Sequence, residues 1–200
     1  MGPVAIYRYK QTRFAYRVLN LSDIVTYRGW DGALASFLVL DYMRPKETKL
    51  CLESIRRHPK FSHKTYLLSQ SPKEDYPYQF FKENLVDELI LPRKNSGCGI
   101  GTQSLFRACD TQYAFYVQCD QFMRVDLTEN SLSQLVGMLN DKVKAVGLAG
   151  NVNQGLFSER ANFMEVETYL NIPAKPQGGP GPYDRSHPWT EESVVRWFKE

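Results

Sequence analysis

TQYAFYVQCDQFM, Thr111 to Met123, is the stretch of this 200-residue chain whose reading decides the fold. Tyr113 to Val117 are five consecutive aromatic or aliphatic residues, and the run stops abruptly at Gln118, Cys119 and Asp120. A strand that is apolar on both faces belongs inside a parallel sheet covered by helices. Such sheets bind ligands at the carboxyl ends of their strands. Asp120 is therefore expected at the mouth of a crevice, as a metal ligand, a ribose or sugar contact, or a strand-end cap.

Working back from this strand, KNSGCGIGTQSLFRACDTQ (Lys94 to Gln112) sets Gly97, Gly99 and Gly101 ahead of a helix through Ala108. A glycine turn at a helix start lets backbone N–H groups approach an anion, commonly a phosphate. The spacing fits neither a dinucleotide fingerprint nor a P-loop. Earlier still, SFLVLDYM (Ser36 to Met43) reads as a strand broken by Arg44 and Pro45. Lys46 to Arg57 reads as a helix with Leu50, Cys51, Leu52 and Ile55 on its apolar stripe. Thr65 to Ser69 is a buried strand, Gln70 to Asp75 a loop, Tyr78 to Asn84 a short helix, and Asp87 to Leu91 a strand closed by Pro92.

Beyond Asp120, Asn130 to Leu139 has helical spacing and Lys144 to Leu148 is a strand, whereas Ala161 to Tyr169 fits an edge strand or a short helix. Ile172 to Pro188 is a loop rich in proline and glycine, of the kind that serves as a lid or binding loop. Trp189 to Phe198 is helical, with Thr190 as N-cap and Glu191 and Glu192 in the first turn, where negative charge is favoured. The alternation of strands and helices predicts an α/β domain with a mostly parallel sheet.

Composition narrows the classes further. With 42% hydrophobic and 13% aromatic residues the chain suits one domain with a full core. No apolar run reaches the roughly 18 residues of a membrane span, and the N-terminus lacks a signal-peptide pattern. A soluble, cytoplasmic protein is expected. The net charge of +3 is too small to argue for nucleic acid. It is uneven, however: residues 1–30 carry five basic side chains against one acid. With their interleaved aromatic residues these form a basic, aromatic arm, packed on the domain or docked on an anionic membrane surface or a sugar chain. Cys51, Cys98, Cys109 and Cys119 have no zinc-ligand spacing and read as reduced thiols.

Several of these segments carry a family resemblance. SFLVLDYMRP (Ser36 to Pro45) and KLCLESI (Lys49 to Ile55) are similar to the first strand, turn and helix of GT-A-fold glycosyltransferases of the large family-2 type. NSGCGIGTQ (Asn95 to Gln103) resembles that family's glycine-containing turn and helix. YAFYVQCDQFM (Tyr113 to Met123) falls where the family places its D-x-D motif, with Gln118 in the position of the first carboxylate. GGPGPYDRSHPWTEESVVRW (Gly178 to Trp197) looks like the family's G-G-F segment followed by an acidic pair.

The resemblance implies a GT-A-like, Rossmann-like three-layer domain that moves a sugar, with inversion, from a nucleotide sugar to a glycan, lipid-linked or protein-linked acceptor. A non-catalytic nucleotide- or sugar-binding module of the same fold is the alternative. It implies a division into the arm (1–35), a nucleotide-sugar-binding half (36–150) and an acceptor-side segment (151–200). Donor contacts are expected from Leu40, Asp41, Tyr42 and Arg44 after the first strand of the family pattern, from Ser69 after the second, and from Lys94, Asn95 and Gly97 at the glycine turn. Gln118 and Cys119 complete that set. Asp120 is the expected ligand of a divalent cation, Mn²⁺ or Mg²⁺, and Glu192, with Glu191, the expected general base. Arg44, Arg93 and Lys94 are placed to offset phosphate charge. Tyr42, Tyr183 and Trp189 are candidates to stack on a base or sugar ring, and His187 is a further phosphate or metal contact.

Overall fold

A computed structural model describes residues 4–10, 13–19, 32–93, 95, 97–141, 143–148 and 161–171. The elements run β1 (Val4–Lys10), β2 (Arg13–Leu19), β3 (Ala35–Asp41), α1 (Pro45–Arg57), β4 (His63–Ser69), α2 (Tyr76–Lys82), β5 (Glu88–Pro92), α3 (Cys98–Ala108), β6 (Tyr113–Gln118), α4 (Glu129–Met138), β7 (Ala145–Gly147), β8 (Asn162–Glu165) and α5 (Val166–Asn171). The eight strands form one sheet in the order β2-β1-β5-β4-β3-β6-β8-β7. Its four central strands, β5, β4, β3 and β6, are parallel, and an antiparallel pair extends each edge. The stretch read as an N-terminal arm thus contributes a hairpin, β1–β2, that continues the sheet beyond β5.

The apolar runs explain why the centre is parallel. All seven residues of β3 and all five of β5 are buried, as strands covered on both faces must be. Side chains alternate between two cores. Phe37, Val39, Leu67, Leu89, Phe115 and Val117 pack with Cys51, Leu52 and Ile55 of α1, Phe80 and Phe81 of α2, and Leu132 and Leu135 of α4. Leu38, Leu40, Tyr66, Leu68, Ile90 and Tyr116 pack with Leu105 and Phe106 of α3 and Tyr169 of α5. The result is the expected three-layer α/β sandwich.

Local signals set most element ends. Pro45, read in the sequence as a breaker, sits in the first turn of α1, where its fixed φ and missing N–H cost nothing. Leu50, counted on the apolar stripe, is 58% exposed; the buried stripe is Thr48, Cys51, Leu52, Ser54 and Ile55. Thr128 caps α4 by accepting a hydrogen bond from Ser131 N at 3.2 Å. The ambiguous stretch from Ala161 is both things in turn, strand β8 and then helix α5. Among the described residues no helix is long and apolar enough to cross a membrane.

The strand order carries the functional consequence. The chain steps outward from β3 to β4 to β5, then returns through α3 to place β6 on the other side of β3. α1 and α2 lie on one face and α3 on the other. The reversal makes the gap between β3 and β6 the topological switch point, where open α/β sheets form their ligand crevice.

Candidate functional site at the switch point

Register levels the strand ends around this switch point. Asp41 pairs with Ser69 across β3 and β4, and Leu40 with Gln118 across β3 and β6. The chain then turns away at Tyr42–Arg44 on one side of the gap and at Cys119–Asp120 on the other. Cys119 N donates to Leu40 O at 3.1 Å, tying the two sides together.

Two charged side chains bridge the gap. Arg44 Nη1 donates to Asp120 Oδ2 at 2.5 Å, linking positions 76 residues apart. The Arg44 side chain is 53% exposed and that of Asp120 33%. The other carboxylate oxygen, Asp120 Oδ1, is buried and has no hydrogen-bond partner. An anionic oxygen removed from water without a donor is costly. That oxygen is suited to a cation or donor that comes with a ligand.

Asp41 has a different role from the donor contact expected of it. It is 1% exposed, and three hydroxyls converge on its carboxylate: Thr48 Oγ1 donates to Oδ1 at 2.7 Å, and Ser69 Oγ and Tyr76 OH each donate to Oδ2 at 2.6 Å. Burial, and then the bond to Asp41, pushes the Tyr76 phenol up to about 12. This buried knot joins β3, α1, β4 and α2. Ser69, also expected as a donor contact, spends its hydroxyl here.

The knot fixes the turn that carries Arg44. Met43 adopts φ 56°, a left-handed conformation that a side chain such as methionine seldom takes, and its N–H donates to Ser71 Oγ at 2.9 Å. Arg44 O accepts from Thr48 N at 2.9 Å and from Thr48 Oγ1 at 2.7 Å. The backbone at Arg44 is thereby pinned, while Tyr42, two residues earlier, is 54% exposed.

The glycine turn differs from its sequence reading. Only Gly97, at φ 82°, forms the turn; α3 begins at Cys98, so Gly99 and Gly101 lie inside the helix. Gly101 serves close packing: a Cβ there would stand 2.6 Å from Gln70 Nε2 and 2.8 Å from Leu40 Cδ1. Gln70 in turn donates from Nε2 to Gly97 O at 2.8 Å and from its backbone N to Asp41 O at 2.8 Å. Asn95 Oδ1 accepts from Gly97 N at 2.8 Å. The start of α3 is thus held against the ends of β3 and β4.

Of the remaining expected residues, Gln118 is exposed at the end of β6 with its backbone N bonded to Gln121 Oε1 at 3.0 Å, and Cys119 is buried, its thiol pushed up first by burial and then by the Asp41 charge. Arg93 is exposed after β5. Lys94, Tyr183, His187, Trp189, Glu191 and Glu192 lie outside the described residues. Thr48, Ser71 and Tyr76 were missed. Thr48, one turn into α1, had a signal in its place four residues after Arg44; Tyr76 and Ser71 had none, because their contacts depend on how β4 and α2 lie against β3.

A single carboxylate is a sparse metal site. Among the described residues no three histidine, cysteine, aspartate or glutamate side chains form a group able to hold a metal ion. Mg²⁺-type sites commonly use only one or two carboxylates together with substrate phosphates and water. Asp120, with its unpartnered oxygen, fits that pattern.

This architecture, with its switch point between β3 and β6, is that of a GT-A-like α/β domain. Among solved structures the chain is similar to the mannosyltransferase PcManGT from Pyrobaculum calidifontis, in complex with GDP-Man and Mn²⁺, at a TM-score of 0.52 and 10% identity over 72% of this chain and 50% of that one. The chain therefore spans half the length of that enzyme. The TarS protein of S. aureus in complex with UDP is matched at a TM-score of 0.49 and 14% identity, over 60% of this chain and 37% of that one. No family model matches the sequence, and no curated protein sequence matches it.

Proposed function

We propose that the protein is a nucleotide-sugar-dependent glycosyltransferase, related in kind to the inverting family-2 type, that transfers a sugar to a glycan, lipid-linked or protein-linked acceptor. The observation that carries the reading is the Arg44–Asp120 pair across the switch point, with Asp120 Oδ1 unpartnered. A guanidinium and a half-satisfied carboxylate at the crevice of this fold suit a diphosphate accompanied by a cation. The fold it shares with a GDP-mannose-bound enzyme is consistent with the same assignment.

In the proposed reaction the acceptor hydroxyl attacks the anomeric carbon, and the bond from that carbon to the diphosphate oxygen breaks on the opposite face. Glu192, with Glu191 beside it, takes the hydroxyl proton. Arg44 receives the negative charge that builds on the departing diphosphate. Tyr42 offers an exposed ring to the base or sugar. A divalent cation on Asp120, when bound, would supply further charge neutralisation at the leaving group. The basic N-terminal hairpin is proposed to favour an acceptor at an anionic membrane surface.

Thermal unfolding with UDP, GDP and dTDP sugars, with and without Mn²⁺, tests the reading, because a ligand that binds only the native state raises the melting temperature. A rise of several degrees with one nucleotide class is expected, and no rise with any of them sinks the proposal. Sugar transfer that is undiminished in Glu192→Gln and Glu191→Gln would remove the general-base role. Binding without transfer to any acceptor would favour the non-catalytic module, for which Gln118 in place of a second carboxylate speaks.

A further inference from the structure

The geometry points to a charge-exchange latch between Arg44 and Asp120: a nucleoside diphosphate draws the guanidinium off Asp120, and only then does the carboxylate take a divalent cation. This order of binding rests on the nucleotide-sugar reading above and goes beyond it. Without a nucleotide, a cation approaching Asp120 meets one carboxylate whose Oδ2 is already held by Arg44, with no cluster of acids, thiols or imidazoles among the described residues to help it. The guanidinium and the cation carry like charge and compete for the same group. The resting site therefore binds metal poorly.

A diphosphate changes that balance. The Arg44–Asp120 pair is half exposed on the arginine side, and exposed ion pairs are held weakly. Paired phosphate oxygens offer the planar guanidinium two parallel hydrogen bonds and more charge than one carboxylate. The swing needs no backbone movement, because Met43 N and Arg44 O stay bonded to Ser71 and Thr48. Its departure frees Oδ2 for a cation that also touches the phosphates, with the buried, unpartnered Oδ1 behind it. The latch makes the cation's arrival conditional on the donor.

One substitution separates the two halves of this idea, since it moves two affinities in opposite directions. Electron paramagnetic resonance of free and bound Mn²⁺ should find little binding to the nucleotide-free wild-type chain, and about tenfold tighter binding to Arg44→Ala once the competing charge is gone. The gain should vanish in Arg44→Ala/Asp120→Asn. Calorimetry in EDTA should find UDP or GDP bound about tenfold more weakly by Arg44→Ala, with Arg44→Lys in between because it keeps the charge without the fork. Circular dichroism should be unchanged, as Arg44 makes its structural bonds through the backbone. Equal Mn²⁺ affinity of wild type and Arg44→Ala without nucleotide, or wild-type Mn²⁺ binding that nucleotide does not strengthen, overturns the latch. Absence of any nucleotide binding to the wild type would instead sink the transferase reading, so the two failures are distinct.

Discussion

At the scale of single residues, Asp41 shows how a carboxylate at a strand end can be structural while its neighbour across the gap is free to act. Three hydroxyl donors satisfy Asp41 in a buried setting, whereas Asp120 keeps one oxygen without a partner. Asp41→Ala should deprive the hydroxyls of Ser69 and Tyr76 of their carboxylate acceptor, leaving Thr48 Oγ1 only Arg44 O, and lower stability by about 3 kcal/mol, measured by urea unfolding. It should also loosen the turn carrying Arg44 and weaken nucleotide binding. Tyr76 gives the knot a pH signature. Its folded value of about 12 lies above the ordinary 10, so the folded chain holds the proton more firmly. Its stabilising share is full below pH 10 and is lost as pH climbs from 10 towards 12. Tyr76→Phe should remove that share, seen as a shallower alkaline loss of stability than in the wild type.

At the scale of elements, the meeting of α3 with the ends of β3 and β4 depends on Gly101 having no side chain. A methyl group there would fall within 3 Å of both Gln70 Nε2 and Leu40 Cδ1, and both of those residues are buried. Gly101→Ala gains helix propensity worth about 1 kcal/mol, but overpacking at such a contact costs about 1–3 kcal/mol. A net loss of about 1 kcal/mol is expected by chemical denaturation, and a larger effect on nucleotide affinity, because the Gln70–Gly97 bond must give. Gly101→Ala made in a Gln70→Ala background should cost less than in the wild type. The sequence displayed the glycines but not their division of labour. A glycine that supplies a positive φ and one that admits a neighbouring side chain look alike until the helix is set against the sheet.

At the scale of the whole molecule, the two cores join the six strands β3 to β8, with Phe115 stacked on Phe37 at 4.6 Å and tilted against Phe163 at 4.8 Å across β3, β6 and β8. Near the other end of β3, His63 packs edge-on to Phe37 and Phe61, with Nδ1 3.0 Å from Phe61 O and Nε2 buried without a partner. Burial lowers its pKa below the ordinary 6.5, against the smaller upward pull of the Phe61 carbonyl; Arg56 lowers and Asp87 raises it slightly. A depressed pKa means that the unfolded chain binds the proton more readily. The stabilising contribution of neutral His63 is therefore present above pH 6.5 and lost as pH falls through the folded value. His63→Gln should flatten this acid-side decline in urea-unfolding free energy relative to the wild type, and an unchanged slope would refute the assignment.

What the sequence determined by itself is local. Apolar runs with abrupt polar ends set the buried strands β3, β4, β5 and β6, because a strand covered on both faces has no polar position to spare. The rim Gln118–Cys119–Asp120 was legible as a strand end, whereas Pro45 was read as a breaker and Thr128 went unread, although both set helix starts for local reasons. The order β5-β4-β3-β6 was left to the tertiary structure, since the apolar runs are interchangeable in composition and only their packing against helices on opposite faces selects neighbours. That order brought Arg44 to Asp120 across 76 residues of chain, turned Asp41 inward onto Tyr76, and left one carboxylate oxygen at the crevice unpartnered. Charge pairing between distant residues has no periodicity and no local signature, so it emerges only when the strands that carry them lie side by side.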